Sequence, residues 1–135
     1  MTGPVLEHLG ETKLELGPVT RGEGPWLRGE ADGIVWLALD RGEGAVNTIG
    51  QDVVEGLQSH IEALERDQPR AVVIRSAKIA GFAVGADITG FDDMANEGAA
   101  EMLTHGHDVL DRLEALDCPT ICIVHGAALG AGFEL

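Results

Sequence analysis

The apolar residues of the chain change period several times, and each change predicts an element. Ile34-Val-Trp-Leu-Ala-Leu39 is apolar at every position. A strand without a polar face is covered on both sides, so this segment predicts an interior strand. Trp26 to Gly29 precedes it across Ala31-Asp32-Gly33, and Asp-Gly between apolar runs predicts a hairpin. From about Gln51 to Arg66 the period becomes helical. Val53, Val54, Leu57, Ile61 and Leu64 share one stripe, while Glu55, Glu62, Glu65 and Arg66 lie mainly off it. Asp67-Gln-Pro69 ends that helix. Ala71 to Ile74 predicts a short buried strand, followed by a loop from Arg75 to Gly81 and a small-residue turn in Phe82-Ala-Val-Gly-Ala-Asp-Ile88. A second helix is expected from about Glu97 to Leu116, with Met102, Leu103, Val109, Leu110, Leu113 and Leu116 toward the core. Pro119 admits a strand from Thr120 to Val124, which passes through Gly126, Gly130 and Gly132 and opens a last helix. Strand and helix alternate with short loops, so the pattern predicts an α/β fold with helices on a mostly parallel sheet.

Residues 1–24 are polar, acidic and interrupted by Gly and Pro. They read as an arm with at most a short strand at Thr12–Leu16, leaving residues 25–135 as the folded part. At 135 residues and 44% apolar content, the chain is one domain or part of one. Its last expected helix stops at Leu135 with no cap, which predicts a fragment or truncated domain.

The formal net charge of −14 disfavours nucleic acid or an anionic membrane as the main partner, because phosphate binding needs clustered Lys and Arg. An anionic ligand would need a local basic patch. Cys118 and Cys122 stand four apart and read as free core thiols of a reducing compartment. No signal pattern and no membrane span is present, so no membrane insertion is expected and the bacterial cytoplasm or an organelle matrix is the expected location.

The glycines of the final stretch admit two readings. A strand, a Gly-rich turn and a helix resemble a dinucleotide fingerprint, but that turn belongs to the first βα unit with an acidic ribose-binding residue after it. Alternatively, the stretch pairs with Phe82–Ile88. Both put small residues at a strand exit, and the N–H groups of Ala86 and Ala131 facing one point would hold the oxygen of a polarised thioester. Glu134 lies about one helical turn beyond Ala131 and could face the same pocket, where an acid/base group suits proton transfer at the α or β carbon. His105 and His107 do not share a helix face, so they read as polar surface, and no metal site is expected. His125 reads as a packed turn residue, Asp87 as the cap of a short helix, and Asp92-Asp93 as a solvated face.

Three blocks in order, Ala45-Val-Asn47, Gly81-Phe-Ala-Val-Gly-Ala-Asp-Ile88 and Pro119-Thr through Gly126-Ala-Ala-Leu-Gly-Ala-Gly-Phe-Glu-Leu135, resemble the N-terminal half of the crotonase (enoyl-CoA hydratase/isomerase) family. The style is that of the hydratase domain of multifunctional fatty-acid oxidation proteins, which also carry a 3-hydroxyacyl-CoA dehydrogenase part. The resemblance covers about Trp26 to Leu135. It implies a crotonase-like ββα-superhelix, truncated, of α/β class. It implies backbone N–H groups of Ala86 and Ala131 as the oxyanion hole and Glu134 as a catalytic residue that handles the attacking water. Ala45, Val46, Asn47, Ala83, Val84, Gly85 and Gly130 would line the substrate and CoA groove, and Lys78 and Arg75 would meet CoA phosphates. The family often has three glycines where this chain has Gly130-Ala131-Gly132; the donor is an amide N–H, so Ala serves.

The implied reaction is hydration of trans-2-enoyl-CoA thioesters in fatty-acid β-oxidation. CoA is part of the substrate and no cofactor is implied. The assembly would be a homo-oligomer or a multienzyme β-oxidation complex. A Δ3,Δ2-enoyl-CoA isomerase or another CoA-thioester crotonase stays open, as does a non-catalytic CoA-thioester-binding module. The second catalytic glutamate of hydratases would fall beyond Leu135, so this chain alone is expected to have little or no activity.

Overall fold

The computed structural model describes residues 20–42, 44–87 and 96–135. The strand expected at Thr12–Leu16, Asp92-Asp93 and most of the arm lie outside them. The arm nevertheless yields its end to the fold: Thr20–Arg21 forms β1, antiparallel to β2, Trp26–Ala31. Between them the chain lies against the first helix, where Gly56 leaves room for the Glu23 carbonyl.

The expected hairpin is present. β2 turns through Asp32 and Gly33, whose φ values of 54° and 76° are the left-handed pair that a two-residue hairpin turn requires, into β3, Ile34–Leu39. α1, Gln51–Asp67, follows and is closed by Gln68 in the left-handed conformation, its N–H donating to the Leu64 carbonyl. β4, Ala71–Ser76, runs parallel to β3. Next come β5, Gly81–Val84, and α2, Asn96–Glu114. β6, Thr120–Ile123, is parallel to β4 and completes a five-stranded sheet ordered β1-β2-β3-β4-β6.

The chain then departs from expectation. β6 does not open directly into a helix. After Gly126 a further strand, β7, Ala127–Leu129, pairs in parallel with β5 as a separate two-stranded sheet, and α3, Ala131–Glu134, begins only after it. Three residues with two small side chains carry too little periodicity to announce a strand. Gly126 makes the turn possible: its φ is 61°, and a β-carbon there would lie 2.7 Å from the Ala80 carbonyl oxygen.

β3 occupies the middle of the larger sheet. Val35, Leu37 and Leu39 on one face join Val72 and Ile74 of β4 against Val53, Leu57, Ile61 and Leu64 of α1, with Phe82, Val109 and Leu113. Burial of this apolar area is the main favourable term of the fold. Trp26 is fully buried, and its indole N–H donates to the Val53 carbonyl at 2.9 Å, so its polar edge is satisfied. Two expectations fail at the periphery. Leu103 of α2 is 56% exposed, and Cys122 faces outward rather than into the core. Ile121, Val124, Leu129 and Phe133 are exposed with it. Among the described residues no helix is long and apolar enough to cross a membrane.

Candidate active site

Two turns meet where the small sheet ends. Val84 closes β5 and Leu129 closes β7, and these residues are partners in register. Gly85 and Gly130 follow, both with positive φ, 108° and 52°. A β-carbon on Gly130 would stand 3.6 Å from the Gly85 Cα, so the two turns lie side by side. Ala86 and Ala131 come next on each.

The direction of the Ala86 N–H follows from the hydrogen bonds around it. The loop after β3 lies along the end of β5 as a third, parallel rung. Val84 N–H donates to the Asn47 carbonyl at 2.9 Å, Ile49 N–H to the Gly85 carbonyl at 2.8 Å, and Asp87 N–H to the Ile49 carbonyl at 2.8 Å. In an unbroken parallel ladder the group two residues after Val84, the Ala86 N–H, would reach the Ile49 carbonyl. Gly85 inserts one extra residue, so Asp87 takes that bond and the Ala86 N–H is left outside the ladder.

On the other turn, Gly130 stands before α3, and Phe133 and Glu134 N–H both return to its carbonyl, at 2.8 and 3.2 Å. The Ala131 N–H belongs to the first turn of α3, which has no intrahelical acceptor for it. Gly132 is buried against Ala83, which fixes α3 on β5.

Ala86, Ala131 and Glu134 all line one cavity of about 100 Å³. Its other walls come from α1 and α2, chiefly Val53, Val54, Leu57, Met102 and Leu110. Among the described residues Glu134 contributes the only carboxylate side chain of that lining, and it is an exposed residue. His107 lines the same cavity. Reading the helix faces gave it no role, because the face of α2 it occupies becomes a cavity wall only when α3 packs nearby. Such an arrangement can accept a polarised oxygen at the two turns, place an apolar chain against the helices, and exchange a proton through Glu134.

The residues expected along the CoA groove divide. Ala45 and Val46 are exposed, Val84 and Gly85 half-buried, and Gly130 exposed. Asn47 and Ala83 are buried. Asn47 is fully buried: its amide nitrogen donates to the Leu39 carbonyl (3.0 Å), the Ser76 hydroxyl (2.9 Å) and the Phe82 carbonyl (3.1 Å), while its oxygen accepts from Arg41 N–H (2.9 Å). It therefore ties β3, β4 and β5 together. Lys78 forms an ion pair with Asp40 at 3.1 Å and donates to the Gly42 carbonyl, whereas Arg75 is exposed. His125 is bonded through Nε2 to the Lys78 carbonyl at 2.7 Å, as a packed turn residue would be. Asp87, expected as a helix cap, gives its carboxylate to Arg41 at 2.6 Å. The short helix it was to cap lies outside the described residues.

The sequence profile of the enoyl-CoA hydratase/isomerase family matches residues 29–135. The fatty acid oxidation complex subunit alpha of Shewanella oneidensis is 36% identical over 106 residues, which are 77% of this chain and 15% of that protein. The subunit of the same name from Acinetobacter baylyi is 33% identical over 109 residues, 78% of this chain and 15% of that protein. The chain thus spans about 15% of the length of these curated relatives. Among solved structures, an enoyl-CoA hydratase from Bacillus anthracis superposes with a TM-score of 0.73 at 25% identity, covering 82% of this chain and 43% of that one. An enoyl-CoA hydratase/carnithine racemase from Magnetospirillum magneticum gives 0.73 at 26% identity over 80% of this chain and 41% of that one. An enoyl-CoA hydratase structure from Geobacillus kaustophilus gives 0.76 at 18% identity, over 84% of this chain and 42% of that one, and shares the fold.

Proposed function

Since the chain belongs to the enoyl-CoA hydratase/isomerase family, we propose that it carries the oxyanion hole and one acid/base residue of an enzyme hydrating trans-2-enoyl-CoA thioesters. The observation that carries this reading is the meeting of Ala86, Ala131 and Glu134 on one largely apolar cavity. In the proposed reaction the thioester oxygen accepts the N–H groups of Ala86 and Ala131. The Glu134 carboxylate takes a proton from water as the water oxygen bonds to the β-carbon. The electron pair of the Cα–Cβ double bond moves toward the thioester, and the negative charge that gathers on its oxygen is what the two N–H groups stabilise. The α-carbon then takes a proton from an acid, giving the 3-hydroxyacyl thioester.

A second reading is a Δ3,Δ2-enoyl-CoA isomerase, in which Glu134 as a single base carries a proton between the α- and γ-carbons. Turnover measured on crotonyl-CoA and on a 3-enoyl-CoA separates the two. Loss of the conjugated enoyl absorbance from crotonyl-CoA supports the hydratase. Gain of that absorbance from the 3-enoyl substrate without hydration supports the isomerase. Binding of both thioesters by the full-length protein without turnover would overturn both readings and leave a binding module.

The proposal places the enzyme in fatty-acid β-oxidation, with CoA as part of the substrate and no separate cofactor. It places it in the bacterial cytoplasm or an organelle matrix, as a homo-oligomer or within a multienzyme complex. The curated relatives named as fatty acid oxidation complex subunits support that setting.

A further inference from the structure

We propose that Arg41 is a positioning residue of this site: it holds the one-residue slip that keeps the Ala86 N–H out of the ladder and free to serve the oxyanion hole. This rests on the role proposed for Ala86 above.

Arg41 follows β3 and touches every strand of chain that defines the slip. Its own N–H donates to Asn47 Oδ1 at 2.9 Å. Its guanidinium donates to the Thr48 hydroxyl, pairs through Nε with Asp52 at 3.1 Å in the first turn of α1, and pairs through Nη2 with Asp87 at 2.6 Å. Gly50 leaves the space for it, since a β-carbon there would stand 2.8 Å from Nη2. The Arg41 and Asp87 side chains are mostly covered, at 25% and 19% exposure, so the pair is less screened than a surface bridge. Burial works against the charge of Arg41, and its bonds to Asp87 and Asp52 outweigh that, leaving its pKa raised.

The pairing is tied to the register by geometry. Successive side chains of an extended segment point to opposite faces, so a shift of one residue reverses them all. In the unslipped ladder the Ala86 N–H would donate to the Ile49 carbonyl, and the Asp87 side chain would turn away from Arg41. The Arg41–Asp87 ion pair therefore belongs to the slipped register. A planar guanidinium that reaches two carboxylates at fixed angles specifies that state better than a lysine, whose charge is a point on a flexible stem. Gly85 permits the slip, and Arg41 selects it.

The test is amide hydrogen exchange by NMR beside steady-state kinetics, on the whole protein. In the wild type the Asp87 amide should be protected and the Ala86 amide should exchange freely. In Arg41→Met the order should reverse, because the relaxed ladder gives the Ile49 carbonyl to Ala86. With it kcat should fall by about 10- to 100-fold, somewhat less than outright removal of a donor, while KM stays within about 3-fold. Arg41→Lys should recover part of both. Arg112→Gln, which removes an exposed contact to α1, should change neither. Loss of protection at the Asp87 amide with no gain at the Ala86 amide, or an unchanged kcat, would overturn the proposal in favour of a merely structural arginine. If Arg41→Met does not fold, Asp87→Asn weakens the same pair with little change of shape and is read by the same criteria. Reversal of the exchange order in a protein whose wild type turns over no enoyl thioester would leave Arg41's role standing and refute the proposed reaction instead.

Discussion

Gly132 sits so close to Ala83 that a β-carbon on it would lie 2.7 Å from the Ala83 carbonyl carbon, and nearer still to the oxygen. The contact fixes where α3 begins, and with it the Ala131 N–H and the Glu134 side chain. Gly132→Ala should cost about 1–3 kcal/mol through overpacking and should lower turnover by displacing both groups. Gly106 is the contrast. It lies inside α2 with nothing within 4 Å of an added β-carbon, so Gly106→Ala should stabilise the protein by about 0.5–1 kcal/mol. Denaturant midpoints of the two variants check the pair.

Asn47 leads to a prediction about stability rather than binding. Replacing its amide by Leu takes this partner from the Phe82 carbonyl and the Arg41 N–H, while the Leu39 carbonyl keeps the Ala77 N–H and the Ser76 hydroxyl keeps the Lys78 N–H. Each unsatisfied buried group costs about 1–3 kcal/mol, so Asn47→Leu should lower the unfolding free energy by at least about 2 kcal/mol. If urea unfolding shows little change while thioester binding weakens, Asn47 touches the ligand after all.

Glu134→Gln tests the proton-transfer role. The amide keeps the shape but cannot accept the proton of water. A loss of about 10²- to 10⁴-fold in kcat with a small change in KM is expected. Activity near that of the wild type would remove Glu134 from the mechanism.

His60 sets a pH dependence away from the site. It is 5% exposed on α1, against Gly22, and its Nε2 has no partner among the described residues. Burial, and then the Arg28 charge, hold its pKa below the ordinary 6.5, with Glu23 acting in the opposite direction. The unfolded chain therefore takes up a proton that the folded chain refuses. Its linkage contribution is absent above 6.5. Stability falls as pH drops from there toward the depressed folded value, and below that value the loss levels off. His60→Leu should flatten this segment of the stability curve. Urea midpoints at pH 8 and pH 5 should differ less in the variant than in the wild type, and equal differences would show that His60 does not titrate as described.

Sequence by itself determined what depends on neighbours along the chain. The period of Val53, Leu57, Ile61 and Leu64 dictates α1, Asp32-Gly33 dictates the hairpin turn, and the unbroken apolar run of β3 dictates a central strand. The three family blocks carry the candidate residues because those blocks are contiguous in sequence. Tertiary structure alone decided what depends on segments far apart meeting at one point. It turned Asn47 inward, joined Asp87 to Arg41, made β7 a strand by pairing it with β5, and brought His107 to the cavity of Glu134. None of these has a period to read. The orientation of the Ala86 N–H is the sharpest case. It is set by a single extra residue, Gly85, in a ladder to a loop nearly forty positions earlier. One residue out of register reverses a backbone group without altering any local pattern of apolar and polar side chains.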